Sequence, residues 1–197
     1  MHDLSAQKAL LRRQLRERRA AISQRQQQLA ASQLASIVST LPGWDAAGCI
    51  ALYLPNDGEI GTGPLADLAR AQGKRLLLPV ASRAQSLAFA QWNPGQNLCS
   101  NRYGIPEPGE DAPRTEPGDI DIVFLPLVGW DSSGGRLGMG AGYYDRTLAG
   151  IDGPLRVGLA HSVQQVERVP TDEKDVLLDF VATERALVKC GADQAGN

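Results

Sequence analysis

Between Arg136 and Asp145 the chain reads Arg-Leu-Gly-Met-Gly-Ala-Gly-Tyr-Tyr-Asp: a fixed cation, three alternating glycines and a carboxylate. Glycines at 138, 140 and 142 let backbone N–H groups approach and wrap an oxyanion. Arg136 offers a planar, permanently charged partner for a phosphate. Asp145, just past the glycines, suits a divalent cation that accompanies a polyphosphate. Spacing alone leaves two readings open, a phosphate cradle or a loose loop beside a packed turn. It is not a Walker A loop, because no Gly-Lys-Ser/Thr follows, and it is a poor dinucleotide fingerprint.

The flanking segments must hold this run in place. Ile120 to Leu125, bounded by Asp119 and Pro126, predicts a buried strand, and Tyr143 to Leu148 a short helix ended near Gly150. The order strand, glycine loop, helix adds the unpaired N–H groups and the dipole of a helix start. Cys49 to Leu54 predicts another strand, so Glu59 lies in the loop beyond its carboxyl end, where open α/β sheets place ligands. On its own, Glu59 is equally readable as a solvated loop carboxylate. Thr62 can cap a helix running to about Gln72, stopped by Gly73. Further strands are expected at Arg75 to Val80, at Leu87 to Trp92 (antiparallel to it), at Arg156 to Ala160, and at Phe180 to Thr183 as the last. Asn97 to Asp119 is irregular, and a loop this long is more often functional than decorative.

The chain opens with two helices, Ser5 to Arg19 and one from a Ser23–Gln26 capping box to about Leu41. Lys8 and Arg12 are four residues apart and share a face, which Arg16 and Arg19 extend. Charge alone favours a solvated basic face. RNA contact is the weaker alternative, since no aromatic residues are interleaved.

The totals exclude several classes. A chain of 197 residues, 43% hydrophobic and 21% charged, fits one α/β domain with a sizeable core. Net charge of −2 offers no field for nucleic acid, and no apolar run is long enough to span a membrane. Cys49, Cys99 and Cys190 fit neither a zinc spacing nor a disulfide framework, which points to a reducing cytoplasm. No Cys–His or Ser–His–Asp constellation can be assembled, and His161 is expected to be structural. Residues 1–190 are read as the domain and 191–197 as a polar tail.

Five stretches, in order, resemble the 5-formyltetrahydrofolate cyclo-ligases, also called methenyltetrahydrofolate synthetases. They are Lys8-Ala9-Leu10-Leu11-Arg12, Leu54 to Thr62 with Gly58-Glu59-Ile60, Tyr103 to Pro108, Asp121 to Asp145, and Gln164 to Glu184. The resemblance implies a mixed, mostly parallel sheet flanked by helices, Rossmann-like (NagB/RpiA/CoA-transferase-like), with a helical N-terminal extension carrying a basic face to the site. It implies ATP-dependent closure of 5-formyltetrahydrofolate to 5,10-methenyltetrahydrofolate through phosphorylation of the formyl oxygen, with Mg2+ as cofactor and a monomer as the working unit.

By the same resemblance, Lys8, Arg12 and Arg136 are the catalytic cations. Lys8 to Arg12 (with Ala9, Leu10 and Leu11) and Arg136, Leu137, Gly138, Met139, Gly140, Ala141, Gly142, Tyr143 and Tyr144 would bind ATP. Leu54, Glu59 and Met139 to Tyr143 would face the folate, Tyr103 would add to a pocket wall, and Asp145 and Asp175 would serve the metal. Gly61, Ala141 and Lys174 depart from common family residues, which bears on folate affinity more than on phosphoryl chemistry. The alternatives are a folate- or nucleotide-binding regulatory protein without turnover, or a relative acting on another formyl substrate.

Overall fold

The computed structural model describes residues 2–82 and 85–191; residues 192–197, most of the expected polar tail, lie outside them. Two helices, α1 (His2–Ala20) and α2 (Gln24–Val38), precede β1 (Cys49–Ala51), α3 (Gly63–Ala71), β2 (Arg75–Ala81) and β3 (Leu87–Gln91). The short strands β4 (Leu98–Ser100), β5 (Pro106–Pro108) and β6 (Arg114–Thr115) lead to β7 (Ile122–Pro126). After the ribbon β8 (Gly129–Trp130) and β9 (Arg136–Leu137) come α4 (Tyr143–Leu148), β10 (Leu155–Leu159), β11 (Phe180–Ala182) and β12 (Leu187–Lys189).

The main sheet has the order β12-β11-β10-β7-β1-β2-β3-β6. Its five central strands, from β2 to β11, are parallel, and β3, β6 and β12 add antiparallel edges. Alternation along the strands splits the core in two, as a two-residue side-chain period requires. Ile50, Leu76, Ile122, Phe124 and Val157 pack with Leu34, Val38, Leu65 and Ala69 of α2 and α3. Ala51, Leu77, Val123, Leu125 and Val181 pack on the other face with Leu148 of α4. Near-continuous apolar strands are what a sheet covered on both faces demands.

From β1 the chain builds outward to β2, whereas β7 and β10 extend the sheet the other way. The order therefore reverses between β1 and β7, and the crevice beyond their carboxyl ends is where a ligand site belongs. The loop after β1 carries Glu59, and the segment after β7 leads to the glycines.

Several boundaries differ from expectation. The capping box of α2 forms, with Ser23 N donating to Gln26 Oε1 at 2.9 Å, but the helix stops at Val38. Thr62 sits at the start of α3 without capping it, because its hydroxyl donates to the Tyr53 carbonyl at 2.7 Å. The 97–119 excursion is not irregular throughout: β4 and β5 form a ribbon, and β6 adds to the main sheet. A strand, β12, follows the expected last one. The stretch after β7 is no simple loop either, since β8–β9 precedes the glycines.

Candidate active site

α1 brings the first cations. Lys8 and Arg12 stand on one face, a turn apart, because 3.6 residues per turn align positions i and i+4. The same helix is anchored by Leu11 and Leu15, which pack with Val128, Leu137 and Val169 at the ribbon after β7. Gly129 makes that close approach possible, since Leu15 occupies the space where a Cβ would be. Anchoring α1 there sets Arg12 against the glycine loop, where its Nε donates to the Gly138 carbonyl at 2.8 Å.

The loop itself needs its glycines at two points. Gly140 (φ +100°) and Gly142 (φ +67°) adopt left-handed conformations that L side chains rarely take. A Cβ on Gly140 would press on the Arg12 guanidinium at 3.4 Å, and one on Gly142 would overlap Arg146 at 2.7 Å.

Around one cleft of about 680 Å³ stand Lys8, Arg12, Leu54, Glu59, Arg136, Leu137, Gly138, Met139, Gly140, Ala141, Gly142, Tyr143, Tyr144, Asp145 and Asp175. Tyr103 lines it as well, its hydroxyl 3.0 Å from that of Tyr143 with the rings edge to face. Ala9, Leu10 and Leu11 do not. They fall on other sides of the helix between Lys8 and Arg12, and Leu11 packs beside Leu15 instead.

Two of the three cations that line the cleft are held against carboxylates. Lys8 Nζ lies 2.7 Å from Asp175 Oδ2 and 3.3 Å from Asp172 Oδ2. Burial pulls the Lys8 pKa down, but hydrogen bonds and charge from Asp175 and Asp172 outweigh it and leave the pKa raised. Arg136, 7% exposed, pairs with Asp145 Oδ1, and burial lowers its pKa against that partner's pull. Arg12 alone among these cations has no carboxylate within ion-pair distance among the described residues. Among the described residues its other guanidinium donors make no hydrogen bond beside the glycine loop.

At the far side, Glu59 is half-buried and accepts from the Asn56 N–H at 3.0 Å. Burial pushes its carboxyl up to about 7, although Asn56 and Arg19 oppose this. Glu59 is thus partly withdrawn from solvent at the edge of the cleft. His161 is buried with its Nε2 unpartnered, and burial lowers its pKa, in keeping with a structural, neutral ring.

Sequence reasoning missed Arg19. Instead of extending a solvated face it is 1% exposed, donating to Asp57 Oδ2 at 2.6 Å and to the Leu127 carbonyl at 3.3 Å. The signal was present: Arg19 follows Leu15 by four residues and so continues the buried stripe. Asp57 was missed because its role depends on a left-handed turn (φ +50°) followed by Gly58 (φ +76°). Asp172 was missed because only the fold brings it to Lys8.

The residues set out above lie inside a region with known counterparts. Residues 4–184 match the model of the 5-formyltetrahydrofolate cyclo-ligase family. The chain is 39% identical over 174 residues to the 5-formyltetrahydrofolate cyclo-ligase of Escherichia coli (strain K12), covering 86% of this chain and 96% of that protein. Identity to the cyclo-ligase of Haemophilus influenzae is 38% over 173 residues, covering 85% and 92%. The NMR structure of 5,10-methenyltetrahydrofolate synthetase from Aquifex aeolicus superimposes with a TM-score of 0.82 at 31% identity, covering 96% of this chain and 95% of that one. The match runs from the first helix through the last parallel strand, and on it the chain belongs to the 5-formyltetrahydrofolate cyclo-ligase family of enzymes.

Proposed function

We propose that this protein closes 5-formyltetrahydrofolate to 5,10-methenyltetrahydrofolate at the expense of ATP, releasing ADP and phosphate. The observation that carries the reading is the Arg12–Gly138 contact: a cation without a carboxylate partner among the described residues, fixed on a glycine loop, in the same cleft as Lys8, Arg136 and Glu59. A formamide oxygen is a poor leaving group and has to be activated. The γ-phosphoryl group passes to that oxygen as its bond to the β-phosphate oxygen breaks. The N10 amine then attacks the formyl carbon, loses its proton, and phosphate departs as the cationic ring amidinium forms.

Such chemistry rests on positioning and charge rather than on a protein nucleophile. Lys8, Arg12 and Arg136 hold the phosphates, with the backbone of Leu137 to Tyr144 beside them. Glu59 accepts from the pterin's amino edge, and Leu54 and Met139 flank the ring. Ionised Glu59 is the better acceptor, so folate binding strengthens above its pKa of about 7.

Asp145 and Asp175 would hold Mg2+. The donor set fits: each carboxylate engages one oxygen in hydrogen bonds and leaves the other without one among the described residues. An ion of this kind takes few protein ligands beside phosphate and water. When bound, Mg2+ neutralises charge on the phosphate oxygens.

The test is absorbance in the methenyl-folate band with 5-formyltetrahydrofolate and MgATP, against a control without ATP. An ATP-dependent rise is expected. Its absence, with both ligands shown to bind, would favour the regulatory or altered-substrate reading.

A further inference from the structure

Arg19 touches neither the glycine loop nor the cleft, yet it lies beneath the turn that carries Glu59. Its guanidinium links three elements. One nitrogen donates to Asp57 Oδ2 at 2.6 Å, and another donates to the Leu127 carbonyl just after β7. Gln164 Nε2 donates to that same carbonyl at 2.6 Å from the 3-10 turn Ser162–Gln164. A Cβ on Gly58 would meet Arg19 Cγ at 3.7 Å and Nε at 3.8 Å, so the left-handed Asp57–Gly58 turn rests directly on this side chain. Arg19 Nε is buried without a hydrogen-bond partner among the described residues, a cost that a purely structural plug would avoid with an apolar residue.

We infer that Arg19 is a positioning residue for Glu59: its buried charge, shared with Asp57, fixes the Asn56–Glu59 turn and sets the field in which the Glu59 carboxylate binds folate. This rests on the folate role proposed for Glu59, but the arrangement has a consequence of its own. The charged and titratable groups facing Glu59 are Arg19 at the end of α1, Asp57 within the turn, Tyr53 after β1 and Tyr144 on α4. Arg19 favours the ionised carboxylate and Asp57 disfavours it. The two members of one ion pair therefore act on Glu59 with opposite sign. Arg16, exposed and bonded to both Asp57 oxygens at 2.8 and 3.1 Å, holds Asp57 from the solvent side and does not replace Arg19 beneath the turn.

The experiment follows the Glu59 carboxyl by 13C NMR in the full-length protein without ligand, the signal being assigned by its loss in Glu59→Gln. Arg19→Met should raise the midpoint by roughly half to one pH unit, and Asp57→Asn should lower it by a similar amount. Arg19→Lys should restore most of the original midpoint. Alongside, the pH dependence of the dissociation constant for 5-formyltetrahydrofolate should move with each midpoint. Asp57 is partly exposed, so Asp57→Asn keeps the test decisive if Arg19→Met does not fold. Shifts of the same sign in both variants, or none, would overturn the inference. If the carboxyl titrates as stated but folate binding ignores it, the folate role of Glu59 fails while the electrostatic link stands.

Discussion

Leu15 occupies the space that the missing side chain of Gly129 leaves open: a Cβ there would overlap Leu15 Cδ1. Leu15 is fully buried, so neither side can give way without repacking. Gly129→Ala should therefore destabilise the fold by about 1–3 kcal/mol, read from the midpoint of urea unfolding. Leu15→Ala should cost much less in that background than in the native one, because the overlap and the cavity offset each other. Equal costs in the two backgrounds would show that the helix does not seat there.

The two cations of α1 that line the cleft answer to different partners. Arg12→Ala should cut turnover by about a hundredfold or more, with the unfolding midpoint shifted by no more than a few degrees. Lys8→Ala should cut turnover as well and in addition leave Asp172 and Asp175 facing each other, so its loss of stability should be eased by high salt. Calorimetric titration with an unreactive ATP analogue checks both; unaltered nucleotide affinity in either variant would remove that residue from the phosphate site.

Glu59 gives the protein a pH signature. Its carboxyl is raised from 4.5 to about 7 in the fold, so between those values the folded state binds more protons than the unfolded one. Stability contributed by this group is thus lost as pH rises through that window. Glu59→Gln should flatten this decline in chemical unfolding measured from pH 5 to 8. It should also raise the KM for folate by about tenfold or more at pH 8, with a smaller change in kcat.

Asp145 and Asp175 are predicted to govern the metal requirement. Asp145→Asn and Asp175→Asn should each raise the Mg2+ concentration for half-maximal activity by at least about tenfold. Mg2+-dependent strengthening of ATP binding should weaken in parallel, measured by titration without folate. An unchanged metal dependence would assign these carboxylates solely to their ion pairs with Arg136 and Lys8.

Much of the parallel core was legible because buried strands are apolar and their breaks are marked: the strands expected at Ile120 to Leu125 and Arg156 to Ala160 overlap β7 and β10, offset by one or two residues at their ends. The short elements were not. β8 and β9 have two residues each, too few for any alternation, and β4–β5 sits among prolines and glycines that read as loop. Arg136 could be proposed as a phosphate partner from its type and spacing, whereas charge alone favoured a solvated face for Lys8 and Arg12 and left Glu59 open, so these three became candidates through the family resemblance. Their neighbours could not be named. Arg19 was concealed by its own charge, which argued for solvent until Asp57 supplied a partner far along the chain. The departure at Gly61 has a packing reason the sequence hides: a Cβ there would come within 3.1 Å of Ala31 on α2. The other departures, Ala141 and Lys174, are exposed and find no such explanation.

The ion pair between Lys8 and Asp175 joins residues 167 positions apart. At roughly 5–20 residues per second, a translating ribosome adds Asp175 about ten to thirty seconds after Lys8. Through most of that interval the basic helix has been synthesised, while Gly129, the glycine loop and the acidic segment that receive it are added only in its later part. Activity should therefore switch on only when synthesis is almost finished, and a nascent chain stalled before Asp175 should carry a complete phosphate-facing helix and no working enzyme.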